Sequence, residues 1–190
     1  MRVPLAPYRP YLWFALAVIL SSLPSLPLVA HESGFPEKTL KSVFPEATGF
    51  TARKKSLSAA QVKRIEQASG SKLHANDNPA TFYVAVGKSG DGSGVLGMVL
   101  VVDTKGPKGA IDMAIGLKRD MTIHRVVIVL NKDDPGLAAA TFLDQFKGKN
   151  SAAPLTVGKD IRYSGAAAAA EAVAATVRRG LQILTEAGKP

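Results

Sequence analysis

Between residues 81 and 130 the chain passes through four β-rich stretches in succession: 81–86, 95–103, 110–117 and 122–130. Each is dominated by β-branched, aromatic or other apolar residues, the composition of strands. The connectors are short and rich in turn formers. The first carries Gly87, Gly90, Gly92 and Gly94, the second reads Lys105-Gly106-Pro107-Lys108-Gly109, and the third runs from Lys118 to Met121. Parallel neighbours need a crossover of about a dozen residues or more, and no connector here is long enough. The spacing therefore predicts an antiparallel meander. The glycine-rich connector lacks the Gly-Lys-Ser/Thr ending of a phosphate loop and does not join a strand to a helix. It is read as a hairpin loop and not as a nucleotide fingerprint.

Helical patterns flank the meander. Residues 35–44 place Leu40, Val43 and Phe44 on one face, with Pro45 as the stop. Ser58 opens a second helix, and Gln61 three residues later completes a capping box; Val62, Ile65 and Ala68 form its stripe before Ser69-Gly70. A third is expected over 137–146, with Phe142, Leu143 and Phe146 as its apolar residues. The longest follows Ser164-Gly165: Val173, Val177, Leu181 and Leu184 share a face, and Glu171, Arg178, Arg179 and Glu186 are expected mainly off it. Together these predict an α+β domain. It holds an antiparallel sheet of about four to six strands, helices covering one sheet face, and a long C-terminal helix.

The first thirty residues read differently. Arg2 and Arg9 precede the apolar run 11–20, and a small-residue stretch leads to Ala30, the layout of a secretory signal peptide. The expected organisation is a signal peptide over 1–30 and one domain over 31–190, with the product exported to the periplasm or the outer face of the cytoplasmic membrane. Retention of the leader as an anchor stays open, although Pro24 and Pro27 follow an apolar run short for a bilayer span. The net charge is +9, of which Arg2 and Arg9 supply two. That balance suits anionic lipid, acidic partners or a phosphorylated cofactor. Nucleic acid is not an expected partner, because the basic residues are dispersed and few aromatics alternate with them. There is no cysteine, which excludes disulfides, thiolate zinc sites and cysteine-held iron–sulfur clusters.

The start of the last helix has chemical potential. Ser164 is placed to cap it, and Gly165 with the alanines after it leaves backbone N–H groups almost bare. Such an end attracts anions through its free donors and the helix dipole. The same small residues also serve a plain packing role.

Ser164-Gly165-Ala166, followed by small residues and a helix, resembles the Ser-Gly-Ala-Thr-x-Ser signature of the FMN-binding domain. That family occurs in extracytoplasmic flavin subunits of the Rnf complex and the sodium-pumping NADH:quinone oxidoreductase. The resemblance extends to the Phe44-Pro45-Glu46-Ala47 segment and to Pro135-Gly136-Leu137 after Asp133-Asp134, where the family has Glu-Thr. It implies an FMN phosphate facing Ser164, Gly165, Ala166 and Ala167, and a flavin ring against Pro135, Gly136 and Leu137. In the family a dedicated transferase esterifies the Thr hydroxyl to FMN. Here Ala167 holds that position and Ala169 and Ala170 replace later hydroxyl residues, so attachment at this site has no oxygen to use.

The resemblance thus implies an exported FMN-binding-domain protein in extracytoplasmic electron transfer. FMN would be held non-covalently, and the partners would be redox proteins and a membrane electron-transfer complex. It implies an electron-transfer flavoprotein more than a substrate-specific enzyme. The alternative is a degenerate, flavin-free domain serving as a scaffold or binding subunit of a membrane or periplasmic complex; an unrelated periplasmic domain also stays open. No catalytic residue is assigned. Asp133-Asp134 is read as a solvated turn, since no catalytic partner is recognisable. His31, His74 and His124 show no metal-ligand spacing, and a copper site at His31, were it the mature N-terminus, is the sharper but weaker reading.

Overall fold

The computed structural model describes residues 36–88, 90, 92 and 94–189. The expected leader and His31 lie outside the described residues. The elements run α1 (Glu37–Val43), β1 (Gly49–Lys55), α2 (Ala59–Ser69), β2 (Ala80–Val86), β3 (Val95–Lys105), β4 (Ala110–Lys118), β5 (Ile123–Asn131), α3 (Ala140–Leu143) and α4 (Ala167–Ala187). Single 3-10 turns occur at Ala75–Asp77, Pro135–Ala138 and Asp144–Phe146.

The five strands form one sheet in chain order, every neighbouring pair antiparallel. This is the expected meander with one strand added at its edge. β1 pairs Gly49 with Val86 through to Lys55 with Ala80. Its sequence, Gly-Phe-Thr-Ala-Arg-Lys-Lys, gives no apolar alternation, because as an edge strand it leaves Thr51 to Lys54 exposed.

Alternate residues of each strand point to opposite faces, and the two faces are covered unequally. On one side α4 and α2 pack over Leu100, Met113, Ile115 and Leu117, all buried. Val173, Val177, Leu181 and Leu184 of α4 lie in that core, each with at most 1% exposure. Burying one such side chain contributes about 1.5–3 kcal/mol. On the other side, among the described residues, α1 sets Leu40, Val43 and Phe44 against Ala85, Val99 and Ala114. The helices therefore cover both faces, not one as expected.

Two further differences concern helices. Residues 137–146 form two 3-10 turns around the short α3, because Ala139 adopts extended backbone (ψ 137°) and breaks the run. Phe142 and Phe146 are still buried, edge to face with centroids 5.5 Å apart. In α4, Arg179 and Glu186 are buried despite their charge. Arg179 Nε lies 3.0 Å from Asp77 Oδ2, with side chains 3% and 5% exposed, and its Nη2 donates to the Asp103 carbonyl at 2.7 Å. Glu186 is met by Arg64 at 2.7 Å and by Lys189. These two partners hold the Glu186 carboxyl down at about 2.

A cleft between the Pro135 turn and the start of α4

The chain leaves β5 at Asn131, whose side chain organises the turn that follows. Its Oδ1 accepts from the Asp133 N–H at 3.0 Å and its Nδ2 donates to the Asp134 carbonyl at 2.7 Å. Asp133 reaches back across the sheet, where its Oδ2 accepts from the N–H groups of Lys108 and Gly109 in the β3–β4 turn. Asp134 heads the Pro135–Ala138 turn, its Oδ1 accepting from the Gly136 N–H at 3.0 Å. A short acid followed by Pro at the first turn position is a capping pattern. The two acids are thus connectors bonded to other segments and not the solvated turn expected from the sequence.

The other Asp134 oxygen determines the geometry of the site. Oδ2 accepts from the Ala166 N–H at 3.1 Å, and Ala166 is the N-cap residue of α4. One carboxylate therefore ties the Pro135 turn to the start of the long helix. The Ala166 N–H first, then the Tyr163 hydroxyl and the Gly136 N–H, hold the Asp134 carboxyl below the usual carboxylate range. The Tyr163 hydroxyl faces the same group. Its oxygen is enclosed and has no partner in good hydrogen-bond geometry among the described residues. Burial, then the Asp134 charge, push that phenol up to about 12.

This clasp explains two glycines. A Cβ on Gly165 would stand 2.6 Å from Asp134 Oδ2 and 2.6 Å from Tyr163 Cε1; a Cβ on Gly136 would stand 2.6 Å from the Tyr163 hydroxyl. Neither gap admits a methyl group. Ser164 makes no cap: α4 begins two residues later than the motif implies, and the Ser164 side chain donates and accepts nothing at its N-terminus. The N–H groups of Ala169 and Ala170 turn back to the Ala166 carbonyl. Those of Ala167 and Ala168, both exposed, have no partner among the described residues.

Beside the clasp lies an open cleft of about 740 Å³. Asp134, Gly136 and Ala139 line it from the Pro135 turn and after, Arg162, Tyr163, Ser164 and Gly165 from the approach to α4, and Thr141, Phe142 and Gln145 complete the lining. Phe142 and Tyr163 meet at 4.8 Å, tilted by 56°. Of the residues read from the sequence, Gly136, Ser164 and Gly165 share this cleft. Ala166 stands behind it, bonded to Asp134 and packed on the core. Ala167 is exposed on the first turn of α4, Pro135 is exposed on its turn, and Leu137 is fully buried in the core and does not line the cleft. Sequence reading missed Asp134 as the clasp and Arg162, Tyr163 and Gln145 as lining. Asp134-Pro135-Gly136 carried the local capping signal; nothing local announced its second bond.

The histidines sit elsewhere. His124 stacks on Phe44 at 4.5 Å and 10°, and burial lowers its imidazole. His74 Nε2 lies 3.0 Å from Arg179 Nη1, and its Nδ1 lies 3.6 Å from Asp103. Among the described residues there is no cluster of three or more His, Cys, Asp or Glu side chains fit for a metal, and no helix long and apolar enough to cross a membrane.

No family model matches the sequence, and no curated protein matches it. Among solved structures, the chain is similar to NqrC of Shewanella oneidensis, with 16% identity over 77% of this chain and 84% of that one, and a TM-score of 0.51. At that identity the likeness is one of fold.

Proposed function

We propose that this chain is an exported FMN-binding-domain protein that takes part in extracytoplasmic electron transfer and holds FMN without a covalent bond. The observation that carries the reading is the cleft itself. Gly136 and Ser164-Gly165, from the two segments that resemble the flavin-binding motifs, line one and the same cleft. The NqrC-like fold supports the same reading.

The residues present fit a planar ring more readily than a phosphate. Phe142 and Tyr163 give the cleft an aromatic side, and open pockets lined this way bury ring systems. The unpaired N–H groups of Ala167 and Ala168 are suited to an anion, whereas the Asp134 carboxylate beside Gly165 repels one. The methyl of Ala167 cannot form an ester. Binding therefore rests on ring burial and a few polar contacts. FMN, when bound, supplies the redox chemistry. The chain's own part is to orient the ring and to keep water from one of its faces. Export through the leader and docking with redox proteins of a membrane electron-transfer complex complete the proposal; the basic charge suits an acidic partner surface.

The test is to express the protein with its natural export path and record its visible spectrum, then treat it with mild acid. A yellow protein that releases all its FMN supports the reading. A colourless protein that added FMN does not stabilise defeats it.

One observation favours a second reading, a flavin-free scaffold subunit. Asp134 already supplies an internal anion to the start of α4. Ala167→Thr, expressed with the flavin transferase, separates the two. Covalent labelling of that variant shows that the cleft accepts FMN, and an unlabelled but folded variant favours the scaffold.

A further inference from the structure

We infer that Arg162, and not the start of α4, is the anion-recognising residue of this cleft, so that a phosphate-bearing ligand lies with its phosphate at the Arg162 end. The inference rests on the flavin reading and specifies how that ligand is oriented.

The helix start is the poorer seat. The Ala166 N–H is committed to Asp134 Oδ2 at 3.1 Å, and that oxygen is pressed against the Gly165 backbone. A phosphate placed at Gly165-Ala166 must displace this bond and then stand beside a carboxylate. Like charges at that range oppose each other in any environment a protein offers.

Arg162 has the opposite character. Among the described residues it is the one cation lining the cleft. Its side chain is exposed and has no ion-pair partner among the described residues. Its backbone is nevertheless fixed. The Arg162 N–H donates to Gln145 Oε1 at 2.7 Å, and Gln145 Nε2 donates to the Arg162 carbonyl at 2.8 Å. Gln145 is itself held by the Thr141 carbonyl at 2.9 Å. Ile161, fully buried on the preceding position, anchors the strand-like lead-in. The clamp sets where the Arg162 side chain leaves the backbone, its guanidinium donors are not taken by another ion, and its planar fork matches phosphate oxygens two at a time. Aromatic wall, clamped Arg162 and repelling Asp134 thus define one orientation: ring toward Phe142 and Tyr163, phosphate away from α4.

Flavin fluorescence quenching on the full-length protein tests this, with FMN and riboflavin as paired probes. Wild type should bind FMN more tightly than riboflavin. Arg162→Gln should weaken FMN about tenfold while leaving riboflavin unchanged, the loss expected of one charge-assisted contact. Arg162→Lys should recover part of that loss, and Asp134→Asn should tighten FMN. Far-ultraviolet circular dichroism checks that each variant is folded. A preference for FMN that survives Arg162→Gln overturns this inference alone, as does a wild type that binds both flavins equally. A wild type that binds neither flavin overturns the functional reading and the inference together.

Discussion

Two helices of this protein begin after a serine, and only one serine does what its position promises. At the start of α2, Ser58 accepts from the Gln61 N–H while Gln61 returns a bond to the Ser58 N–H, a closed local box. At the start of α4, Ser164 faces a cleft and Asp134, brought in from the end of β5, takes the cap position's N–H. The first start closes its cap within four residues. The second depends on tertiary structure, and it leaves a polar opening beside it. A cap closed locally stands or falls with its own few residues, whereas one closed from a distance depends on the packing that brings its partner in.

Variants that strain or separate the two starts should follow a definite order. The scale is set farther along α4. Arg179→Met strands Asp77, 5% exposed, without its cation, and should cost about 3–5 kcal/mol in urea unfolding. Next, Gly165→Ala drives a methyl into Asp134 and Tyr163; a loss of about 1–3 kcal/mol is expected, with the cleft deformed as well.

Acid should then distinguish the far end of α4 from its capped neighbours. Glu186 sits at about 2 when folded, against an ordinary value of 4.5. A depressed carboxyl stabilises fully above its unfolded value, so this contribution is intact above pH ~4.5 and fades as pH falls toward ~2. Melting curves over that window should flatten in Glu186→Gln. Ser58→Ala should cost about 1 kcal/mol, the value of a lost cap. Ser164→Ala should change stability by less than about 0.5 kcal/mol, the range of a surface position. Equal losses from the two serine variants would break the comparison.

The legible parts of the fold were those carried by local pattern. The meander followed from apolar runs and short turns, and α2 from its box and the closing Gly70. β1 was hidden because an edge strand needs only one partner and can end in consecutive basic residues, here Arg53 to Lys55; its register is set by β2, not by its own sequence. The broken 137–146 segment kept its buried phenylalanines but not its helix, since one extended residue at Ala139 leaves no mark in composition. Arg179 and Glu186 read as solvent-facing because their partners, Asp77 and Arg64, are distant in sequence. The site divided in the same way. Gly136, Ser164 and Gly165 were proposed from motifs, and all three line the cleft. Asp134 was misassigned because its second bond spans from the β5 exit to α4, and Arg162 passed unnoticed because a lone exposed arginine has no local signature.

Thermal unfolding of the purified protein across a series of FMN concentrations is the most direct test that this cleft receives a flavin. A ligand bound only by the folded state raises stability by about 2.7 kcal/mol at a hundred times its dissociation constant, so the midpoint should climb steadily with added FMN. A midpoint that stays fixed from the lowest to the highest FMN concentration would contradict the account.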